Sequence, residues 1–168
     1  MRTVLIFPEL ENRAEIDAIR RKYDPLFGLI APHLTLVFPF EWDIGDEALA
    51  SLLDARLTGF SSFDLELCGV GRSVNCFGNF LYWNVAKGAE SLVRLHEELT
   101  AHEFRPFDSG LPYRPHLTLG KLSNIDALNR AYEEIRALPL RSVSRVRKIS
   151  AEKIGPGGES IVFYEKEL

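Results

Sequence analysis

The sequence predicts a mixed strand-and-helix fold of two half-domains of like order, and three observations support it. Apolar residues recur at helical spacing in four windows, with β-branched and aromatic runs between them. The pentapeptide Pro-His-Leu-Thr-Leu stands at 32–36 and again, unchanged, at 115–119. Each copy follows a helix and a long Pro-containing loop, so an internal repeat with a pseudo-two-fold relation is the economical explanation. The 168 residues fit a single domain, 1–168, made of two such lobes, and that size buries a substantial core.

In chain order, TVLIF reads as a strand ended by Pro8. A helix follows from about Glu11 to Lys22, with Ile16, Ile19 and Tyr23 at i, i+3 and i+7. The loop YDPLFGLIAP leads into HLTLVFPF (33–40), a strand closed by Pro39. Leu49, Leu52, Leu53 and Leu57 mark one face of a second helix, Asp46 to Leu57, which Gly59 stops. Phe63, Leu65 and Leu67, then FLYWNV (80–85), read as a hairpin joined by the turn-rich GRSVNCFGN. Leu92, Leu95 and Leu99 place a third helix at about Glu90 to Glu103, and RPFDSGLPYRP delivers the chain to HLTLGK. A fourth helix is expected over Ile125 to Ala137, then two strands around GPGG at 155–158.

Composition narrows the function classes. Twenty basic against twenty-four acidic residues give a net charge of −4, which repels a polynucleotide backbone at long range and argues against a non-specific nucleic-acid coat. A small phosphate ester or one RNA end stays allowed. The basic run RSVSRVRKIS (141–150), with Arg145 and Arg147, reads as an exposed strand face because Val143 and Val146 interrupt it. Cys68 and Cys76 form neither a disulfide framework nor a zinc pattern and read as idle thiols of a reducing compartment. The apolar run at the N-terminus is too short for a signal-peptide core, and no stretch approaches the ~20 apolar residues of a membrane span. The cytoplasm is the expected address.

Side chains alternate along a strand, so His33 and Thr35 share one face while Leu34 and Leu36 share the other; His116 and Thr118 repeat the split. Phosphodiester cleavage needs one group to take a proton from the attacking water or alcohol and another to protonate the departing oxygen. Imidazole, with a pKa near 6.5, does either at neutral pH. Threonine hydroxyls add donors to the non-bridging oxygens. A lone histidine on an apolar strand is most often a hydrogen-bonded core residue; two identical copies reverse those odds. A metal site is disfavoured, since each strand offers one good ligand and no acid or thiol stands at ligand spacing. His96 and His102 lie in the third helix beside Glu97 and Glu103 and read as a solvated face. Arg114 shares parity with His116 and is the candidate phosphate clamp, whereas Lys121 falls on the leucine face of a regular strand. Tyr113, Phe40 and Trp42 flank the motifs as candidates to stack on a base.

The paired His-x-Thr-x strands resemble the 2H phosphoesterase superfamily, the group of 2′-5′ RNA ligase-like and cyclic phosphodiesterase proteins. KYDPLFGLIAPHLTLVF is similar to its small bacterial branch and YRPHLTLGK to its second motif, so the likeness covers most of the chain. The resemblance implies a bilobal α+β fold, with two antiparallel sheets and flanking helices around a central cleft. It also implies action on 2′,3′-cyclic phosphates, 2′-5′ linkages or cyclic ADP-ribose phosphate without cofactor or metal. His33 and His116 would be the acid–base pair and Thr35 and Thr118 the phosphate ligands, with the identical motifs leaving open which histidine is the base. The modest loops and acidic surface favour a small cyclic nucleotide or short RNA terminus over polynucleotide ligation, and a monomer is expected. The alternative is a non-catalytic module that binds a nucleotide or RNA end in the same cleft.

Overall fold

The alternating and helical segments become eight strands and four helices in the computed structural model, which describes residues Met1–Leu168. In order they are β1 (Arg2–Ile6), α1 (Arg13–Tyr23), β2 (Leu34–Phe40), α2 (Asp46–Leu57), β3 (Phe63–Asn75), β4 (Gly78–Lys87), α3 (Ala89–Thr100), β5 (His116–Leu122), α4 (Ile125–Ile135), β6 (Arg141–Val146), β7 (Lys148–Ile154) and β8 (Ser160–Glu167). Every ladder is antiparallel and the sheet order is β6-β3-β4-β5-β2-β1-β7-β8. The two expected sheets are thus the four-stranded halves of one hydrogen-bonded sheet. They meet at a single pair, Leu34 opposite Leu117, between the two motif strands.

Each helix that leads into a motif strand covers the other one: α1 precedes β2 and packs on β5, and α3 precedes β5 and packs on β2. Ile16 and Ile19 of α1 and Leu92, Leu95 and Leu99 of α3 are buried there, continuous with the strand leucines in one core. Gly120 permits the closest of these approaches. A Cβ at that position would lie 2.6 Å from Tyr23 Cβ and 2.8 Å from the Tyr23 carbonyl oxygen, so any larger residue would push α1 off the sheet. Asn124 caps α4, its side chain accepting from the Ala127 amide.

Two expectations are corrected. The turn-rich GRSVNCFGN is mostly strand, since pairing runs out to Asn75 opposite Gly78 and leaves only Cys76 and Phe77 in the turn. Cross-strand hydrogen bonding overrides the local turn preference of those residues. After α4 there are three strands and not two: β6 pairs with β3, whereas β7, one residue later, pairs with β1 in the other half. The chain breaks pairing at Arg147 because one strand cannot belong to both halves. The basic run there is ion-paired on the surface, Arg141 with Glu66 at 2.8 Å, Arg145 with Asp64 at 3.2 Å and Lys148 with Glu165 at 3.1 Å. Cys68 and Cys76 are exposed free thiols. No helix is long and apolar enough to cross a membrane.

Candidate active site at the seam of the sheet

Alternation places the motif residues as the repeat requires. Leu34, Leu36, Leu117 and Leu119 are fully buried, and His33, Thr35, His116 and Thr118 are half-buried on the opposite face. Antiparallel pairing about Leu34 and Leu117 sets His33 across from Thr118 and Thr35 across from His116. Spacings of about 6.5–7 Å along a strand and about 5 Å across put the two imidazoles on a diagonal, roughly 8 Å apart at Cβ for ideal geometry.

The repeat extends to a defect. Between β1 and β2 the register steps from Leu5–Thr35 to Val4–Val37, and between β4 and β5 from Tyr82–Thr118 to Leu81–Gly120. Leu36 and Leu119, the last residues of the two pentapeptides, are therefore the extra residues of matching β-bulges. Such bulges re-aim the side chains that follow, and here they end the alternation right after each threonine.

Both rings make the same hydrogen bond to the carbonyl two residues back. His33 Nδ1 lies 2.8 Å from the Ala31 oxygen and His116 Nδ1 lies 2.7 Å from the Arg114 oxygen. Pro32 and Pro115 stand between acceptor and ring, and their fixed φ holds the carbonyl in place. A carbonyl only accepts, so Nδ1 carries the proton in each ring and Nε2 is left as the titrating atom. Burial pushes both imidazoles below the usual histidine range, while the carbonyl hydrogen bonds oppose the shift. For His33 the Arg20 guanidinium lowers the value further, Asp24 raises it, and the charge of His116 lowers it, so the two rings share one field. Arg114 does the same to His116.

Arg114 sits where parity places it, its Nη1 donating to the Tyr82 hydroxyl at 3.4 Å. Tyr82 escaped the sequence reading: its ring lies 5.1 Å from that of His116, and its position on β4 is opposite Thr118. Phe7, whose ring is 6.3 Å from His33 and edge-on, escaped it too. The only signal for either was an aromatic at the right parity of a neighbouring strand, and register is not written in one strand alone. Lys121 is corrected: the Leu119 bulge reverses parity, so it stands opposite Phe80, with its ammonium 5.4 Å from that ring, on the face of His116 and Thr118.

The stacking candidates are corrected as well. Phe40 is 3% exposed: it shares the parity of Leu34 and Leu36, the two register shifts on β2 cancel, and it packs in the core against Phe104 and Phe107. Trp42, beyond the end of β2, packs on the same two rings, roughly 30 Å from His33 at the rise of an extended chain. Tyr113 is a strut: its hydroxyl donates to the Thr35 carbonyl at 2.8 Å, and its ring stacks on His96 at 3.9 Å. Burial raises its phenol above the ordinary range. His96 is no solvated residue but 7% exposed, with Nδ1 2.8 Å from the Leu36 carbonyl; α3 turns that edge onto β2 and not to water. His102 is exposed, 3.5 Å from Glu98.

The chain matches the model of the family described as the 2′-5′ RNA ligase superfamily over residues 7–152, a span that holds both motifs. A Bacillus cereus (strain B4264) protein named "Putative phosphoesterase" is 35% identical over 121 residues, which cover 70% of this chain and 67% of that one. A Bacillus anthracis (strain CDC 684) protein of the same name is 34% identical over the same shares. Among solved structures, TT0787 of Thermus thermophilus superposes with a TM-score of 0.66 at 20% identity, over 99% of this chain and 97% of its own. E. coli LigT in complex with 3′-AMP superposes with a TM-score of 0.59 at 21% identity, over 100% of this chain and 99% of its own. At such identities the structural likeness speaks for the fold alone.

Proposed function

Because the chain belongs to the 2′-5′ RNA ligase superfamily of 2H phosphoesterases, we propose that it opens 2′,3′-cyclic phosphates, or cleaves 2′-5′ linked nucleotides or RNA ends, by two-histidine acid–base catalysis. The observation that carries this reading is the matched pair of Nδ1-to-carbonyl bonds at His33 and His116 on the two strands that meet at Leu34 and Leu117. Two rings held in one tautomer with Nε2 free suit one proton acceptor and one proton donor for a single phosphate. The neutral ring takes a proton from water as its oxygen bonds to phosphorus. The protonated ring gives its proton to the ribose oxygen as the second P–O bond breaks, and the roles exchange for the reverse reaction. Thr35, Thr118 and Arg114 donate to the non-bridging oxygens, where negative charge builds.

In this cycle the two rings carry both protons. The solved complexes of LigT with 3′-AMP, ATP and NADP+ support a nucleotide as the substrate class. The test is hydrolysis of 2′,3′-cyclic nucleotides in EDTA. Wild type should turn over, and His33→Ala and His116→Ala should each lose about 10²–10⁴-fold in kcat. Activity that requires added metal, or that survives both substitutions, sinks the mechanism; tight nucleotide binding with no turnover would favour a binding module.

A further inference from the structure

The half-sheet beside His33 ends in the β7–β8 hairpin, which neither repeated motif uses. Leu5 stands opposite Thr35, and Ser150 stands opposite Leu5. Alternation therefore puts Glu152, two residues beyond Ser150, on the sheet face of His33 and Thr35. This carboxyl is buried, 2% exposed. The cations nearest to it in the strands turn elsewhere, since Arg2 and Lys153 both pair with Asp46. β1 sets Thr3 opposite Glu152, and β8 sets Val162 there. Its one side-chain partner is the Ser160 hydroxyl at the start of β8, which donates to Oε2. Burial pushes the carboxyl above the ordinary carboxylate range, and the Ser160 bond opposes that shift. Taking a carboxyl out of water for a single hydroxyl is costly, and what it secures is the position of Ser160.

Ser160 directs its backbone N–H away from the ladder, to the Leu29 carbonyl at 2.9 Å. No other backbone hydrogen bond leaves residues 25–32 for the sheet. Gly158 packs at the same point, where a Cβ would lie 3.4 Å from Leu29 Cδ1. Two residues after Leu29, the Ala31 carbonyl holds His33 Nδ1. The far end of this loop is fixed separately by Asp24, which pairs with Arg20 and accepts from the Leu26 amide at 3.0 Å. The other ring is held by a different route. The Arg114 carbonyl that meets His116 Nδ1 belongs to a loop that Tyr113 ties to Thr35 and Arg114 ties to Tyr82, with no residue of β7 or β8.

We propose that Ser160, seated by Glu152, is the post that positions His33: it fixes the loop whose Ala31 carbonyl selects the Nδ1–H tautomer, and it does so for this ring and not for His116. Both are positioning residues and touch no substrate. The C-terminal hairpin thereby acquires a role in the site although it carries neither motif. The effect on turnover rests on the acid–base reading of His33 given above, whereas the tautomer is a property of the free protein.

Long-range proton–nitrogen NMR of the labelled full chain reads the tautomers directly, at about pH 8, where both seam rings are neutral. The variants are Ser160→Pro, Glu152→Ala and Glu152→Gln. The first removes the N–H at the opening residue of an edge strand, a place where proline is tolerated; the second removes the seat; the third keeps an acceptor for the hydroxyl. Wild type should show the Nδ1–H form at His33 and His116. Ser160→Pro and Glu152→Ala should turn His33 into a mixture of tautomers and leave His116 unchanged, and Glu152→Gln should match wild type. With a 2′,3′-cyclic nucleotide, the first two should lose about 10–100-fold in kcat with KM little changed, and Glu152→Gln should restore the rate. The Ser160 amide of wild type should be protected from hydrogen exchange, a measurement that stands even where a variant does not fold. A fast-exchanging Ser160 amide, an unchanged His33 tautomer in Ser160→Pro, or equal disturbance of both rings overturns the post. The two readings fail separately: a released His33 with turnover intact refutes the acid–base reading and leaves the post standing, and turnover lost with the His33 tautomer retained does the reverse.

Discussion

Burial lowers the proton affinity of both seam histidines, and this fixes the direction of the pH dependence. The productive enzyme has one neutral and one protonated ring, a state most populated between the two free-enzyme pKa values. With both values below 6.5, kcat/KM for a cyclic nucleotide should peak on the acid side of pH 6.5 and fall as pH rises. Arg114→Gln removes a cation that lowers His116, so the limb that His116 governs should move to higher pH while KM rises. A limb that stays put or moves down in the pH–rate profile would show that Arg114 does not act on this ring. The linkage to folding has the same sign: unfolded chain binds protons more readily, so the histidines' contribution to stability is complete above pH 6.5 and is lost as pH falls through the lower folded values.

At the scale of the element, each motif strand is positioned by a neighbour that touches no substrate. Tyr113, backed by His96, ties the loop before β5 to the Thr35 carbonyl on β2. Tyr113→Phe should cost about 0.5–1.5 kcal/mol by urea titration and reduce kcat with little change in KM; unchanged stability would show that the hydroxyl bond is dispensable. On the other flank, the bare backbone of Gly71 on β3 makes room for Tyr82. A Cβ there would lie 2.3 Å from Tyr82 Cε2 and 3.0 Å from Asn84 Oδ1. Gly71→Ala should therefore destabilise by about 1–3 kcal/mol and weaken activity through displacement of Tyr82 from His116 and Arg114. A variant with wild-type melting temperature and kinetics would mean that the hairpin absorbs the methyl freely.

For the whole molecule, the joint between the halves is thin in hydrogen bonds and thick in packing. One β2–β5 pair joins the ladders, yet α1 and α3 each cross the seam, and the C-terminal β7–β8 hairpin completes the half begun by β1 and β2. The half of β3 to β6 is one stretch of chain, but the half of β1, β2, β7 and β8 is assembled from both ends around it, and each half carries a helix that packs on the other, so unfolding should be cooperative. Trp83, fully buried in β4, and Trp42, packed on Phe104 and Phe107 beyond β2, report on the two halves. In urea, tryptophan fluorescence and far-UV circular dichroism should trace one coincident transition; two separated midpoints would show that the lobes unfold independently.

The repeated Pro-His-Leu-Thr-Leu determined most of this protein from within the sequence: which strands matter, which face is leucine core, and which four side chains share the other face. Those properties follow from the period of two along a strand and need no partner. The first three helices were legible for the same reason, their apolar residues lying at helical spacing. Only the tertiary structure decided what depends on register. The bulge at Leu119 turned Lys121 onto the face of His116 and Thr118, and two register shifts on β2 cancelled to leave Phe40 in the core. The crossing of α1 and α3 buried His96, and pairing between distant strands brought Phe7 and Tyr82 to the two rings. Register is set by which strands pair and where a residue is left over, and that is a property of two segments together that neither contains alone.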